Sequence, residues 1–319
     1  MTSLAARSTA AESGPHRIAL AHPIRSTKTM TKEGAPIFKA FLEALEKGGY
    51  FEGRNLTVER FSALGFAEKY HQTVVEVIDT KPELIVTASD RMTTDFARNT
   101  NSIPIAAIMT DPTFLKLTQS LAHPDRNVTG VIVSPGADIW RKRVEYLKEI
   151  VPDTKYVFVV AAQTFWETPE ISSIRQAIEE SGCIMVGPPV DSPHQDAQYR
   201  AAFAAASKRA NVCLVSTSVE NSKNQDVIVG LAREFKVPAI YPYRDYVDAG
   251  GLMAHDIDLV DLYTQLGRQS ADILSGVSIQ KIPFYQPYKL KLIINLRAAE
   301  EMRVTIPPDL LARADETLD

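Results

Sequence analysis

The chain has 319 residues, which predicts about two domains, and its 45% apolar and 23% charged residues suit a globular protein with a sizeable core rather than a fibre or a disordered tail. A formal net charge of −4 argues against a broad basic field for nucleic acid, and no run approaches the ~18 consecutive apolar residues of a membrane span. The two cysteines, Cys183 and Cys213, lie in separate apolar runs with no CxxC pairing, so they read as buried strand thiols and not as a zinc or redox motif.

The chain opens on MTSLAARSTAAESGP, which lacks the apolar run of a secretory signal, so residues 1–16 are expected to be a flexible N-terminus. Either the protein stays in the cytosol or the export signal is missing from this version of the sequence. Short β-rich runs then alternate with amphipathic stretches, the βαβ signature. A strand is expected over 18–22, followed by a helix whose Ile37, Phe38, Phe41, Leu42 and Leu45 recur at helical spacing and stop at Gly48 and Gly49. Strands over 56–58, 83–87 and 103–108 alternate with helices over about 70–78 and 92–99. Near-continuous apolar runs such as the last two strands suit a parallel sheet covered on both faces.

The pattern restarts after Pro152. A strand over 156–160 leads to a helix with Thr168 as N-cap acceptor and Pro169 in its first turn. Strands over 183–186, 212–215 and 238–241 come next, separated by helices over about 196–209 and 227–235. After the Gly250–Gly251 break come a strand over 252–254, a helix over about 259–274 and a strand over 289–294. These are too few for a third core. The fold class is therefore α/β: two doubly wound parallel-sheet lobes with a hinge and an interlobe cleft. Residues 17–133 with 250–280 are assigned to lobe one, and 134–249 with 281–319 to lobe two. Ligands of open α/β sheets bind outside the strands' carboxyl ends, where helix N-termini present free N–H groups, so the cleft is the predicted site.

The candidate contacts come from the loops that end the strands. Arg25 and Ser26 follow the first strand, and Ser89, Asp90 and Arg91 open a helix whose positive end favours a carboxylate. Ser89 or Asp90 can equally cap that helix, and Arg91 can pair with Asp95. Thr110 ends the fourth strand, beside Asp111, which reads as a turn-former. From the second half, Gln163, Phe165 and Trp166 follow a strand, the two rings being able to stack on a planar ligand or to pack on a neighbouring helix. Ser216 and Ser218 supply hydroxyls, Tyr241 a phenol beside Tyr243, and Arg244 a guanidinium expected to fork onto a ligand carboxylate, so that Arg244→Ala should weaken binding more than tenfold. His255 and Asp256 could read an ammonium or a hydroxyl, or bond each other. No GxSxG, GxxxxGK[ST], GxGxxG or HExxH motif occurs and the six histidines show no ligand spacing, so no enzyme activity, cofactor or metal is expected.

Four separated blocks carry a resemblance. The run from Asp111 to Gly130 (DPTFLKLTQSLAHPDRNVTG) is similar to a "DPv…SLa.P..NvTGv" block, and 49–55 (GYFEGRN) to a "GyveGrN" turn. The stretches PAIY (238–241) with GGLM (250–253), and IPPDLLARADE (306–316), resemble the closing motifs of the same family, the substrate-binding proteins of ATP-driven (ABC) importers. That resemblance implies a type I periplasmic-binding-protein-like fold that closes on a small solute and presents it to an ABC permease. It also implies a periplasmic or lipoprotein location, with aromatic amino acids among the family's ligands. The chain departs from the pattern in its missing export signal, in Asp125-Arg126 where Gly-Gly is usual, in Lys116 where glycine is common, and in His255-Asp256 where Tyr-Gly is common. An amino-acid-like or aromatic carboxylate ligand, a monomer and no nucleic-acid partner are expected. A cytosolic small-molecule sensor with the same bilobed fold is the alternative.

Overall fold

A computed structural model of the chain describes residues 15–133, 137–286 and 290–319. The first sheet is wholly parallel and is built from β1 (His16–His22), β2 (Leu56–Ser62), β3 (Leu84–Ala88), β4 (Ile105–Met109) and β5 (Val128–Ile132), in the order β2-β1-β3-β4-β5. Register runs Leu20 opposite Arg60 and Val86, and Ile108 opposite Val131. Helices α1 (Pro36–Lys47), α2 (Tyr70–Asp79) and α3 (Asp90–Asn99) connect its strands. Proline at its start and the apolar face Phe38, Phe41, Leu42 and Leu45 make α1 amphipathic as expected, and those four side chains are buried.

The next helix, α4 (Ala137–Ile150), leaves this sheet and packs on the second lobe. There β6 (Tyr156–Val160), α5 (Pro169–Glu180), β7 (Ile184–Val186), α6 (Asp196–Ala206), β8 (Val212–Val215), α7 (Val219–Lys223), α8 (Gln225–Glu234), β9 (Ala239–Tyr241), α9 (Arg244–Asp248) and β10 (Met253–Ile257) repeat the first lobe's winding. The order β7-β6-β8-β9-β10 reproduces that of the first sheet, strand for strand. After β10 the chain crosses back: α10 (Leu259–Leu274) packs on α1 and on β3 to β5. It then returns to the second sheet with β11 (Leu290–Asn295), antiparallel to β10, then α11 (Leu296–Met302), α12 (Pro308–Leu311) and the edge strand β12 (Glu316–Leu318). In each lobe, the helix after the fifth strand belongs to the other lobe.

Several boundaries differ from the sequence reading. The strand near Leu252 belongs to the second sheet, not to lobe one, because it pairs with β9 on one side and β11 on the other. From this part of the chain, lobe one receives α10 and contacts from residues 282–285. Residues 281–286, expected in lobe two, pack on lobe one as well: Phe284 N–H donates to Leu121 O at 2.8 Å and Tyr285 N–H to Gly130 O at 2.9 Å. His16 is not part of a flexible tail, since it opens β1 with its N–H on Asn55 O, 2.9 Å; residues 1–14, and Lys289 of the last expected strand, lie outside the described residues. Strand β5 went unread because its centre is Thr129-Gly130. A Cβ at position 130 would stand 1.8 Å from Ala107 O, so only glycine lets β5 approach β4.

Candidate functional site

The loops after β1, β3 and β4 in one lobe face those after β6, β8 and β9 in the other, enclosing a cavity of about 510 Å³. Its polar rim from the first lobe is Arg25, Ser89, Asp90, Arg91 and Thr110; from the second it is Thr217, Ser218, Glu220 and, at the start of α5, Glu170. Five aromatic side chains surround the space: Tyr70, Phe165, Tyr243, Tyr246 and Tyr263. A second chamber of about 580 Å³ adjoins it, sharing Asp90, Arg91, Thr110, Thr168 and Glu170 and running out past Arg98, Phe114 and Trp140. Two contacts tie the lobes across the cleft. Arg25 Nη2 meets Asp245 Oδ2 at 3.0 Å, and Lys223 Nζ donates to Gly65 O at 3.0 Å while lying 4.5 Å from the Phe66 ring centroid.

Local chemistry explains why these groups are held where they are. His22 Nδ1 accepts the N–H groups of Ile24 (3.0 Å) and Arg25 (2.9 Å), which folds the first loop back over the strand end. Burial, followed by the nearby Arg25 charge, pushes the imidazole down to about 3, so it stays neutral in that role. Ser89 Oγ accepts Met92 N–H at 3.4 Å and caps α3. Asp90 accepts Thr110 N–H at 2.8 Å and the Thr110 hydroxyl, while burial raises its carboxyl above the usual range. Glu170 is pushed up to about 7, first by burial and then by the charge of Asp90, with Arg143 and Thr217 opposing. Arg143 is wholly buried in α4. Its ring-stacking partner is Trp140 (4.6 Å to the centroid), its Nη2 donates to His255 O at 2.8 Å, and Nε and Nη1 have no partner. Three buried hydroxyls line the cavity outside hydrogen-bond geometry, Thr217 Oγ1, Ser218 Oγ and Tyr246 Oη, with Thr217 beside Glu170 and the Tyr246 hydroxyl beside Ser222.

Of the residues expected from the sequence, Arg25, Ser89, Asp90, Arg91, Thr110, Phe165 and Ser218 line the cavity. Arg91 is exposed and lies 5.4 Å over the Tyr70 ring, while Asp95 pairs with Arg98 at 3.9 Å. Arg244, expected to fork onto a ligand, forks onto Glu316 of β12 instead, its Nη2 2.8 Å from Oε1, with Asp248 at 3.2 Å on Nε. Its N–H donates to Asp256 (2.9 Å), which holds that carboxylate away from the cleft; burial pushes it up to about 7. His255 points at Tyr146, edge to face at 5.3 Å, and not at Asp256, and burial pushes it down to about 3. Tyr241 stacks on Tyr246 inside the core, centroids 5.0 Å apart. Ser216 Oγ accepts from Asn221 (3.1 Å), and Ser26 Oγ caps the turn at Lys28 N (3.4 Å). Gln163 is exposed beside Val190, and the Trp166 ring packs on Gly187 in the loop just past β7 and does not line the cavity. Thr168 does not accept at the start of α5; its hydroxyl donates to Phe165 O at 2.8 Å.

Sequence reasoning missed Tyr70, Thr217, Tyr246, Tyr263 and Glu170. Glu170 had a signal, a carboxylate in the first turn behind Thr-Pro at a strand-end loop. Tyr70 and Tyr263 had none, because a helical aromatic facing a cleft has the same spacing as one facing a core. Among the described residues, no group of three or more His, Cys, Asp or Glu side chains is placed to hold a metal ion.

Residues 32–318 match the family described as ABC transporter substrate binding protein. A tyrosine-binding protein of Clostridioides difficile is 23% identical over 283 residues, 87% of this chain and 80% of that protein. A conserved domain protein of Vibrio cholerae superposes with a TM-score of 0.85 at 23% identity, covering 95% of this chain and 99% of that one. The ABC domain of Streptococcus pneumoniae in complex with L-Trp superposes with a TM-score of 0.84 at 19% identity, over 96% and 100% of the two chains. The fold is the two-lobed architecture of type I periplasmic binding proteins.

Proposed function

This chain belongs to the family of ABC transporter substrate-binding proteins, and from that premise we propose that it closes its two lobes around an aromatic amino acid, or a solute shaped like one, and hands it to an importer's permease outside the cytoplasmic membrane. The observation that carries the reading is the ring of five aromatic side chains around an interlobe cavity of about 510 Å³ that also holds the unpartnered hydroxyl of Ser218. A cavity of this size accommodates a compact planar solute, apolar faces stacking on it while a few fixed polar groups orient it. The names of the tyrosine-binding relative and the L-Trp complex agree with that chemistry.

The mechanism needs no covalent step. Contacts from both lobes favour the closed form, and the solute shifts the population by its difference in affinity for the open and closed states. A thermal-shift panel tests the ligand class. L-tyrosine, L-tryptophan or L-phenylalanine at a hundred times Kd should stabilise the chain by about 2.7 kcal/mol. Stabilisation by neutral sugars alone would reject the aromatic amino-acid reading.

A further inference from the structure

We propose that Asp90 and Glu170 face each other across the cleft as a carboxyl pair that holds one proton when the cleft closes without a cation, and that this proton is exchanged for the ammonium group of the solute. This rests on the reading of the cleft as the solute site and extends it to how pH governs selection there.

Three observations carry it. The two carboxyl groups come from opposite lobes, at the N-termini of α3 and α5, and both line both chambers between the lobes. Asp90 is held in place by the two Thr110 donors and cannot turn away. Independently, the nine-tenths-buried hydroxyl of Ser218 lines the same cavity with no hydrogen-bond partner, as a site built for a polar group requires.

Charge balance then sets the chemistry. The groups that act on Glu170 are Asp90 and Asp111 from the first lobe, Arg143 from α4, Thr217 after β8 and Tyr243 after β9. Arg91, also on the rim, is exposed and drawn to the Tyr70 ring, and Arg25 is engaged by Asp245. Arg143, packed behind the cavity, is the one wholly buried positive charge acting on the two carboxyl groups among the described residues, so the pair is short of one more. A proton on the pair supplies it, and so does an ammonium. The solute's N–H groups then donate to both carboxylates, and the displaced proton leaves to solvent. Burial and Asp90 push Glu170 up to about 7, so the exchange falls in the physiological range.

The test compares L-tyrosine with 3-(4-hydroxyphenyl)propanoate, the same skeleton without the amine, by calorimetry between pH 5 and 8. The closed complex with the amine carries one proton fewer than the complex without it. The affinity ratio in favour of tyrosine should therefore rise about tenfold per pH unit from 5 to 7 and level off above 7. In Glu170→Gln the ratio should become independent of pH, and in Asp90→Asn the preference for the amine should fall at least tenfold. A flat ratio in the unmutated chain, or an unchanged slope in Glu170→Gln, overturns the proposal. If neither probe binds, the aromatic reading fails by itself, and the carboxyl pair is judged on the ligand-free chain. There Glu170, whose folded pKa is raised, loses stability as pH climbs from its unfolded value through 7. Glu170→Gln should accordingly gain in melting temperature over the unmutated chain between pH 5 and 8. Parallel profiles overturn the pair whatever the ligand.

Discussion

A guanidinium gains most from a carboxylate that can meet both of its N–H edges, and Arg244 finds one within its own chain in Glu316 of the last strand. Both side chains are partly exposed, so the pair contributes no more than ~1 kcal/mol. Arg244→Ala should lower the melting temperature by a few degrees and leave ligand affinity within about twofold; a tenfold loss of affinity on titration would return Arg244 to the binding site. The same scale accounts for Lys116, which stands where the resembling family commonly has glycine. Its φ of +57° is left-handed, a conformation that costs a residue with a side chain about 1 kcal/mol. The departure changes the residue and keeps the turn.

At the scale of elements, strand periodicity and helix faces were legible because burial on both sides of a parallel strand writes itself as an unbroken apolar run. Residues 83–87 and 156–160 did so, and both are strands. Strand β5 did not, because its contact with β4 is a close approach of backbones that demands Gly130, and Thr129-Gly130 interrupts the apolar run. Gly130→Ala should destabilise the chain by at least ~2 kcal/mol in urea unfolding, since the neighbour in the way is a backbone carbonyl that cannot rotate aside. A loss below ~0.5 kcal/mol would mean that β5 moves freely on β4. At the start of α5, spacing predicts that Thr168 caps through its side chain, yet its hydroxyl turns back to the preceding short helical turn. Neighbouring backbone acceptors compete for the same hydroxyl, and spacing alone does not reveal which one wins.

For the whole molecule, the decisive feature is that each lobe's fifth strand is followed by a helix packed on the other lobe, with Arg25–Asp245 and Lys223–Gly65 linking the lobes across the cleft. The Arg25 and Asp245 side chains are each 43% exposed, which limits that ion pair to ~1 kcal/mol, enough for about fivefold in a closed-to-open ratio. Arg25→Gln combined with Lys223→Gln should therefore weaken ligand affinity two- to tenfold, mainly through faster dissociation. It should also enlarge the radius of gyration of the ligand-free protein in X-ray scattering. Unchanged affinity and an unchanged radius would show that these contacts do not set the closure equilibrium.

Sequence by itself determined the two α/β lobes, the family, and which strand-end loops meet at the cleft, because hydrophobic periodicity and turn residues are local properties carried by each segment. Its candidates Ser89, Asp90, Thr110, Phe165 and Ser218 line the cavity because loops past the carboxyl ends of parallel strands border the cleft, while Ser216 and Gln163 of the same loops do not. Which arginine is already engaged, which helical tyrosines line the cavity, and which two carboxyl groups from opposite lobes share its wall were decided only in three dimensions. Arg244 and Glu316 are 72 positions apart, and Asp90 and Glu170 lie in different lobes. Partners at such separations are chosen by how the lobes pack and close, and charge interactions leave no periodic trace along the chain.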